Sequence, residues 1–141
     1  MNRTTHSRIK RSVALLRTIP GVGIRTAEAV VAYLDNPNRF ASSKQLGSYF
    51  GLVPAQDQSG STNRLGHITR SGPPVVRHLL SEAAWRSVQC SPTMGRFHER
   101  IQQANPERKK IALVATAHYM VRVMYAMLRD NRPWQEQVVA A

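Results

Sequence analysis

Apolar residues recur along this chain at intervals of three and four rather than two, a pattern that predicts helices and no strands. From Ser7 to Arg17, Ile9, Val13 and Leu16 share one face with Leu15 beside them, and basic residues fill the other. That is an amphipathic helix with a basic outer surface. It breaks at Ile19-Pro20-Gly21-Val22-Gly23, after which a strongly helical run continues to Leu34. Asn36-Pro37-Asn38 closes this helix. Ser42 or Ser43 then caps a short one with Leu46, Tyr49 and Phe50 inward. Beyond Pro54 the chain is polar and glycine-rich, with no hydrophobic anchor until Leu65.

Pro73-Pro74 restarts regular structure, and Val75, Val76, Leu79, Leu80, Ala83 and Ala84 recur at helical intervals to about Cys90, leaving Arg77, Glu82 and Arg86 outside. Ser91-Pro92 opens another helix, with Met94, Phe97 and Ile101 inward, that stops near Asn105. Asn105-Pro106-Glu107 reads as a cap, a first-turn proline and a first-turn acid. The helix it starts runs to about Asp130, is about 35 Å long, and carries Ile111, Val114, Ala115, His118, Val121, Tyr125 and Leu128 as its inward stripe. His118 is read as a satisfied core residue. The tail from Pro133, with Trp134, reads as partly disordered.

The expected fold is therefore all-α: a compact helical domain with a helix-hairpin-helix motif and one long polar loop between helices. Its parts are a basic N-terminal helix or arm (1–14), a main domain (15–130) with the hairpin at 15–34 and a serine loop at 52–72, and a C-terminal tail (131–141).

Charge narrows the partner. Twenty Lys and Arg face eight Asp and Glu, a net charge of +12, which points to a polyanion. Lys10, Lys44, Lys109 and Lys110 are the only lysines, so the excess is arginine, whose fork suits phosphate. Nucleic acid leads membrane surface on that ground. Arg108, Lys109 and Lys110 run against the dipole of the last helix and hint at an anion there, beside the plain reading of a solvated charged face. No apolar run approaches the length of a membrane span and no signal-peptide core follows the N-terminus, so a cytoplasmic protein is expected. The basic, acid-free first twenty residues read as a frayed arginine-rich helix rather than a transit peptide. Cys90 is the single cysteine, which excludes an internal disulfide and is expected as a small buried hydrophobe.

Two stretches carry candidate chemistry. The first is the break after the opening helix, hydrophobic-Pro-Gly-hydrophobic-Gly, the layout of a helix-hairpin-helix. Gly21 and Gly23 let the backbone turn and leave no side chain in the way of a close partner. The amides opening the second helix can then hold a phosphate, with Arg17 and Arg25 flanking the turn. An ordinary packing turn between helices is the plain alternative.

The second is the loop in which Ser59-Gly60-Ser61 sits between Asp57 and the groups Arg64, His67 and Arg70. A serine attacking a phosphodiester needs an exposed hydroxyl, cationic donors for the charge on phosphorus, and a proton acceptor. Gly60 supplies the first and Arg64, His67 and Arg70 the second, while Asp57 and His67 are the only guesses for the third. A serine chosen for loop flexibility is the plain reading. Metal chemistry is not expected from this chain: the eight acids stand singly, and His6, His67, His78, His98 and His118 show no ligand spacing.

Four motifs in order, I-P-G-V-G-x-x-T-A from Ile19, F-G-L-V-P-x-x-x-x-S-G from Phe50, R-L-G-H-I-T-R-S-G from Arg64 and R-H-L-L-x-x-A-A-W from Arg77, resemble the C-terminal domain of insertion-sequence transposases of the IS one-ten type, related to the Piv/MooV DNA invertases. The likeness covers roughly Leu15 to Leu128. It implies a serine that becomes covalently attached to DNA during strand exchange, placed by motif position on Ser59 with Ser61 in reserve. It also implies an N-terminal RuvC-like domain with an Asp-Glu-Asp-Asp magnesium site, a guide RNA in some members, and an oligomer when active. This chain has no acid cluster to replace that domain, so it is expected to bind DNA and to need the RuvC-like half for recombination. Magnesium is expected only in that half. The alternatives are a non-catalytic helix-hairpin-helix module of repair or replication, indifferent to the serine loop, and a basic RNA-binding or assembly protein indifferent to Gly21 and Gly23.

Overall fold

The computed structural model describes residues 3–34 and 74–137. The expected short helix with Leu46, Tyr49 and Phe50, its caps, and the whole serine loop lie outside the described residues. Within them the chain forms five α-helices and a 3-10 turn, with no strand: α1 (Arg3–Leu16), α2 (Ile24–Leu34), α3 (Pro74–Cys90), α4 (Pro92–Gln102), the 3-10 turn Pro106–Arg108, and α5 (Lys109–Asp130).

The helix boundaries follow the capping residues. Ser91 is the cap of α4, its hydroxyl accepting from the Met94 amide at 3.2 Å, with Pro92 in the first turn. Gln103 ends α4 in the left-handed region (φ 56°). Asn105 caps as the sequence predicts, its Oδ1 accepting from the Glu107 amide at 3.0 Å, but the turn it opens is 3-10 before α5 begins at Lys109. Arg108 spans this bend by donating from Nε to the Ile101 carbonyl at 2.9 Å.

α5 is the hub: it packs against α1, α3 and α4, while α2 bridges α1 and α3. The core is built from Leu16, Ile19, Leu34, Val76, Leu80, Met94, Met120 and Met124, all within 2% of complete burial. Because α5 has neighbours on several sides, its buried face differs from the expected stripe. Val121 and Tyr125 are buried as expected, but Ile111, Val114, Ala115, His118 and Leu128 are only half-buried, and Ala112, Thr116, Ala117, Met120, Met124 and Met127 take the innermost positions. Small residues set the closest approach: Ala112, Thr116 and Ala117 are fully buried, with the Thr116 hydroxyl donating to its own helix at Ala112 (2.7 Å). On α3, Val76 faces the core and Val75 is exposed. Adjacent residues on a helix diverge by about 100°.

Three further expectations are corrected. The helical stretch Pro106–Asp130 is long and apolar enough, by length and composition, to cross a bilayer, although no run was expected to reach that length. Here the packing of three helices around α5 accounts for its apolarity. Cys90 is exposed, at the last position of α3, because the inward side of that turn belongs to Ser87 and the chain reverses at Ser91.

The tail, expected to be partly disordered, is strapped across the molecule as far as Gln137. The Trp134 amide donates to Thr18 Oγ1 at 2.8 Å and its ring lies on the core. Glu136 accepts from the Ser91 hydroxyl (2.6 Å), the Thr93 amide (3.0 Å) and the Trp134 indole N–H. The Gln137 amide reaches Thr93 Oγ1 at 2.8 Å. The strap thus ties the end of α1 to the start of α4.

Partial burial alone would raise the Glu136 carboxyl pKa, but the hydrogen bonds from Ser91, Thr93 and Trp134 outweigh it and hold the group below the ordinary carboxylate value of 4.5. A depressed folded pKa means that its stabilisation is complete above the unfolded value and is lost as pH falls through the folded one. In a Trp85→Phe background, Trp134 emission should therefore shift to the red as pH falls below about 4.5, and Glu136→Ala should show that red-shifted emission at neutral pH. Identical emission in wild type and Glu136→Ala would mean the strap is held without the carboxylate.

The two hairpin glycines differ in what they tolerate. Gly21 has φ +95°, and a Cβ there would lie 2.6 Å from the Ser87 amide nitrogen and 2.8 Å from its Cα. A Cβ at Gly23 would meet nothing within 4 Å. Gly21→Ala should destabilise the chain by roughly 2–4 kcal/mol, the sum of left-handed backbone strain and overpacking. Gly23→Ala should stay within about 0.5 kcal/mol. Urea denaturation checks both, and equal effects at the two positions would refute the distinction.

Candidate nucleic-acid interface

Four of the predicted site residues, Arg17, Gly21, Gly23 and Arg25, are brought together at the junction of α1 and α2. Ser59, Ser61, Arg64, His67 and Arg70, with Asp57 and Gly60, lie outside the described residues. The junction is a tight turn. The Ile19 carbonyl accepts from the Val22 amide at 3.1 Å across Pro20 and Gly21. Proline followed by a positive-φ glycine is the residue order of a type II turn. Ile19 and Val22, 1% and 6% exposed, insert into the core on either side and hold the turn in place.

Gly23 then starts α2, its carbonyl accepting from the Ala27 amide at 3.0 Å. The amides that follow, on Ile24, Arg25 and Thr26, are those an α-helix leaves without internal partners. They bring the positive end of the helix dipole to the surface. Arg17, Gly23 and Arg25 are all exposed here. The open space beside Gly23 and the exposed arginines leave this side of the turn accessible, whereas the side where Gly21 would carry a Cβ faces the backbone of α3. Packing therefore demands glycine at 21 in any case, and the space at Gly23 is what a partner can use.

The fold adds a residue to this surface that sequence reasoning left among the general cations. The Gly21 contact is with the Arg86–Ser87 backbone, so Arg86, exposed on α3, stands beside the turn. No sequence signal links positions 21 and 86. The Ser87 hydroxyl is buried at this contact without a hydrogen-bond partner.

The electrostatics match an anionic partner. Among the described residues His78 Nε2 lies 2.8 Å from the Glu82 carboxylate and Arg129 pairs with Asp130 at 3.0 Å. Neither uses Arg17, Arg25 or Arg86, so none of the three is paired with a carboxylate of a described residue. Lys109, at the start of α5, sits over the Trp85 ring at 5.1 Å, and His98 meets the same ring edge-on at 6.0 Å. The His98 imidazole is buried, and desolvation holds its pKa below 6.5, with Glu99 opposing and Lys109 reinforcing the shift. It packs as a neutral ring. A cleft of about 640 Å³ between α1 and α2 is lined mainly by Ile9, Val13, Ile24 and Val31 and is apolar, unlike the hairpin surface. Among the described residues no group of His, Cys, Asp or Glu gathers to hold a metal ion, so a magnesium site has no ligand set there.

Comparison with known proteins places this geometry. The profile of the Transposase IS116/IS110/IS902 family matches residues 13–99, which run from α1 through the hairpin to α4. The pilin gene-inverting protein of Moraxella lacunata is 32% identical over 127 residues, covering 89% of this chain and 39% of that protein. Its counterpart in Moraxella bovis is 31% identical over 132 residues, covering 92% and 41%. An IS110 insertion-element protein of Streptomyces coelicolor is 28% identical over 126 residues, covering 89% and 31%. The chain thus spans about two fifths or less of these relatives. The family match extends over more than half of this chain, and on that basis the chain belongs to the IS116/IS110/IS902 transposase family.

Proposed function

We propose that this chain is the DNA-binding, serine-bearing portion of a transposase or site-specific recombinase, with Ser59 as the nucleophile for strand cleavage and exchange. The observation that carries the reading is the family match over residues 13–99, a span that includes both the hairpin and the serine loop. The similarity to pilin gene-inverting proteins supports recombination as the reaction class, and the net charge of +12 supports DNA as the partner.

The hairpin would serve as the anchor. Amides at the start of α2 and the guanidinium groups of Arg17, Arg25 and Arg86 hold backbone phosphates, with Gly23 giving close approach. Arg64 and Arg70 would line the proposed reactive loop, with His67 beside them in sequence. There the Ser59 hydroxyl gives its proton to an acceptor, with Asp57 and His67 as the candidates, and attacks phosphorus; the bond to the leaving oxygen breaks, that oxygen takes up a proton, and a serine phosphodiester joins protein to DNA until the strand is rejoined. The cations stabilise the charge that develops on the phosphoryl oxygens. Ser61 is the reserve for this role. The relatives are more than twice as long as the matched region, and a RuvC-like domain with a magnesium site is the proposed missing partner within the full-length protein. The active form would be oligomeric, with a guide RNA in the RNA-guided branch of the family.

Duplex DNA affinity of the 141-residue chain should fall steeply with salt, each phosphate contact adding about 0.9 to the log–log slope. Gly23→Asp should weaken binding by on the order of ten-fold by setting a carboxylate and a Cβ against the phosphate, and Gly23→Ala, which adds the Cβ alone, should weaken it less. A folded Gly23→Asp variant with unchanged affinity would reduce the hairpin to packing.

In a full-length relative, alanine at the serine matching Ser59 should abolish covalent protein–DNA adducts on a denaturing gel while retention in a native gel persists. Adducts that survive this change and vanish with alanine at the Ser61 equivalent would move the nucleophile by two residues.

A further inference from the structure

A second feature, away from the hairpin, has the composition of a nucleobase site. α4 and α5 meet with Phe97 and Tyr119 stacked, ring centroids 4.5 Å apart and planes 17° from parallel. The Arg100 guanidinium lies 5.3 Å from the Phe97 centroid. A cleft of about 480 Å³ opens beside them, lined by Thr93, Arg96, Phe97, Arg100, Tyr119 and Gln137. We propose that this cleft binds an unpaired nucleotide of a single-stranded nucleic acid, its base on the Phe97–Tyr119–Arg100 stack and its phosphate on Arg96 and Arg100.

The chemistry argues for that occupant over a neutral small molecule or a peptide. Arg96 and Arg100 stand at i and i+4 on α4, a spacing at which like charges destabilise a helix unless an anion joins them. Neither forms an ion pair among the described residues. Arg96 spends one donor on the Gln137 carbonyl at 2.8 Å. A guanidinium carries five, so it is oriented by the strap and still able to bind phosphate. Phe97 and Tyr119 are half-buried, Tyr119 with part of its surface against the core. Stacked aromatics next to arginine are the means by which single strands are held without regard to sequence, and a paired base cannot present its face to them. Gln137, exposed at the edge of the cleft, adds a side-chain amide able to hydrogen-bond a base edge.

Position also favours this occupant. Trp134 of the strap is anchored on Thr18, at the hairpin end of α1, and Gln137 forms the wall of the cleft. Three residues of extended chain span at most about 11 Å, so the cleft is within a few nucleotides of the hairpin. A strand leaving a duplex gripped there would arrive with an unpaired base. The inference shares with the proposed function the premise of a nucleic-acid partner, but assigns a different element to a different form of it.

The test uses the intact chain and single-stranded 12-mers of DNA and of RNA carrying one 2-aminopurine, with the matching DNA duplex as control. Stacking should quench 2-aminopurine fluorescence on binding. Phe97→Leu and Tyr119→Leu should each weaken single-strand binding by on the order of ten-fold and reduce the quench, leaving duplex affinity unchanged. Arg100→Lys, at an exposed position that does not threaten folding, keeps the charge and loses the planar group, and should lower the quench more than the affinity. Arg100→Gln should lower both. Equal losses on DNA and RNA support recognition through base and phosphate, and losses on one arm alone support the site and name the sugar it reads. Normal single-strand affinity and quench in Arg100→Gln and in a folded Phe97→Leu would overturn the proposal. Duplex binding without any quench in the wild-type chain would also overturn it while leaving the hairpin reading intact, whereas binding to neither form would remove the nucleic-acid premise of both.

Discussion

The arrangement of this domain depends on one close contact: the hairpin turn at Gly21 lies directly on the backbone of α3 at Arg86 and Ser87. With a virtual Cβ only 2.6 Å from the Ser87 nitrogen, no other residue fits without moving one of the two elements. Three consequences follow from it. The turn is locked in its positive-φ form, the first turn of α2 is aimed at solvent, and Arg86 is carried from a distant part of the sequence to the edge of the hairpin. Buried Ile19 and Val22 fix the turn on its flanks, and Gly23, Ile24 and Arg25 at the start of α2 are exposed.

The strap is tied to the end of α1 at Thr18, just before the same turn. Residues 132–137 have no regular secondary structure, yet Trp134, Glu136 and Gln137 close a chain of hydrogen bonds from Thr18 at the end of α1 to Ser91 and Thr93 at the start of α4. Glu136 is one of few acids in the chain, and it is used internally. The arginines near the hairpin are left without carboxylate partners among the described residues. The net charge of +12 therefore includes arginines, Arg17, Arg25 and Arg86 among them, that no carboxylate of a described residue pairs.

Much of the fold was legible because helix periodicity and capping chemistry are local. Ser91-Pro92 and Asn105-Pro106-Glu107 marked helix starts where the structure has them, and Ile9, Val13 and Leu16 marked the inward face of α1. The buried face of α5 was not legible. Its residues are apolar nearly all round, and the choice of Met120 and Met124 over Ile111 and Val114 depends on where the other helices lie. The tail misled for a related reason. Pro133 and short polar residues carry no periodic signal, while the partners that order them stand more than forty residues away at Ser91 and Thr93.

The candidate site divides along the same line. Sequence alone determined that the chain is helical and basic and that a Pro-Gly-x-Gly turn joins two helices, since each depends on residues close together in the chain. Tertiary structure decided that Gly21 serves packing while Gly23 faces open space, that Arg86 belongs beside the hairpin, and that Phe97, Arg100 and Tyr119 share one cleft. Those facts depend on contacts between distant segments. Sequence spacing cannot encode such contacts until the helices have been placed against one another.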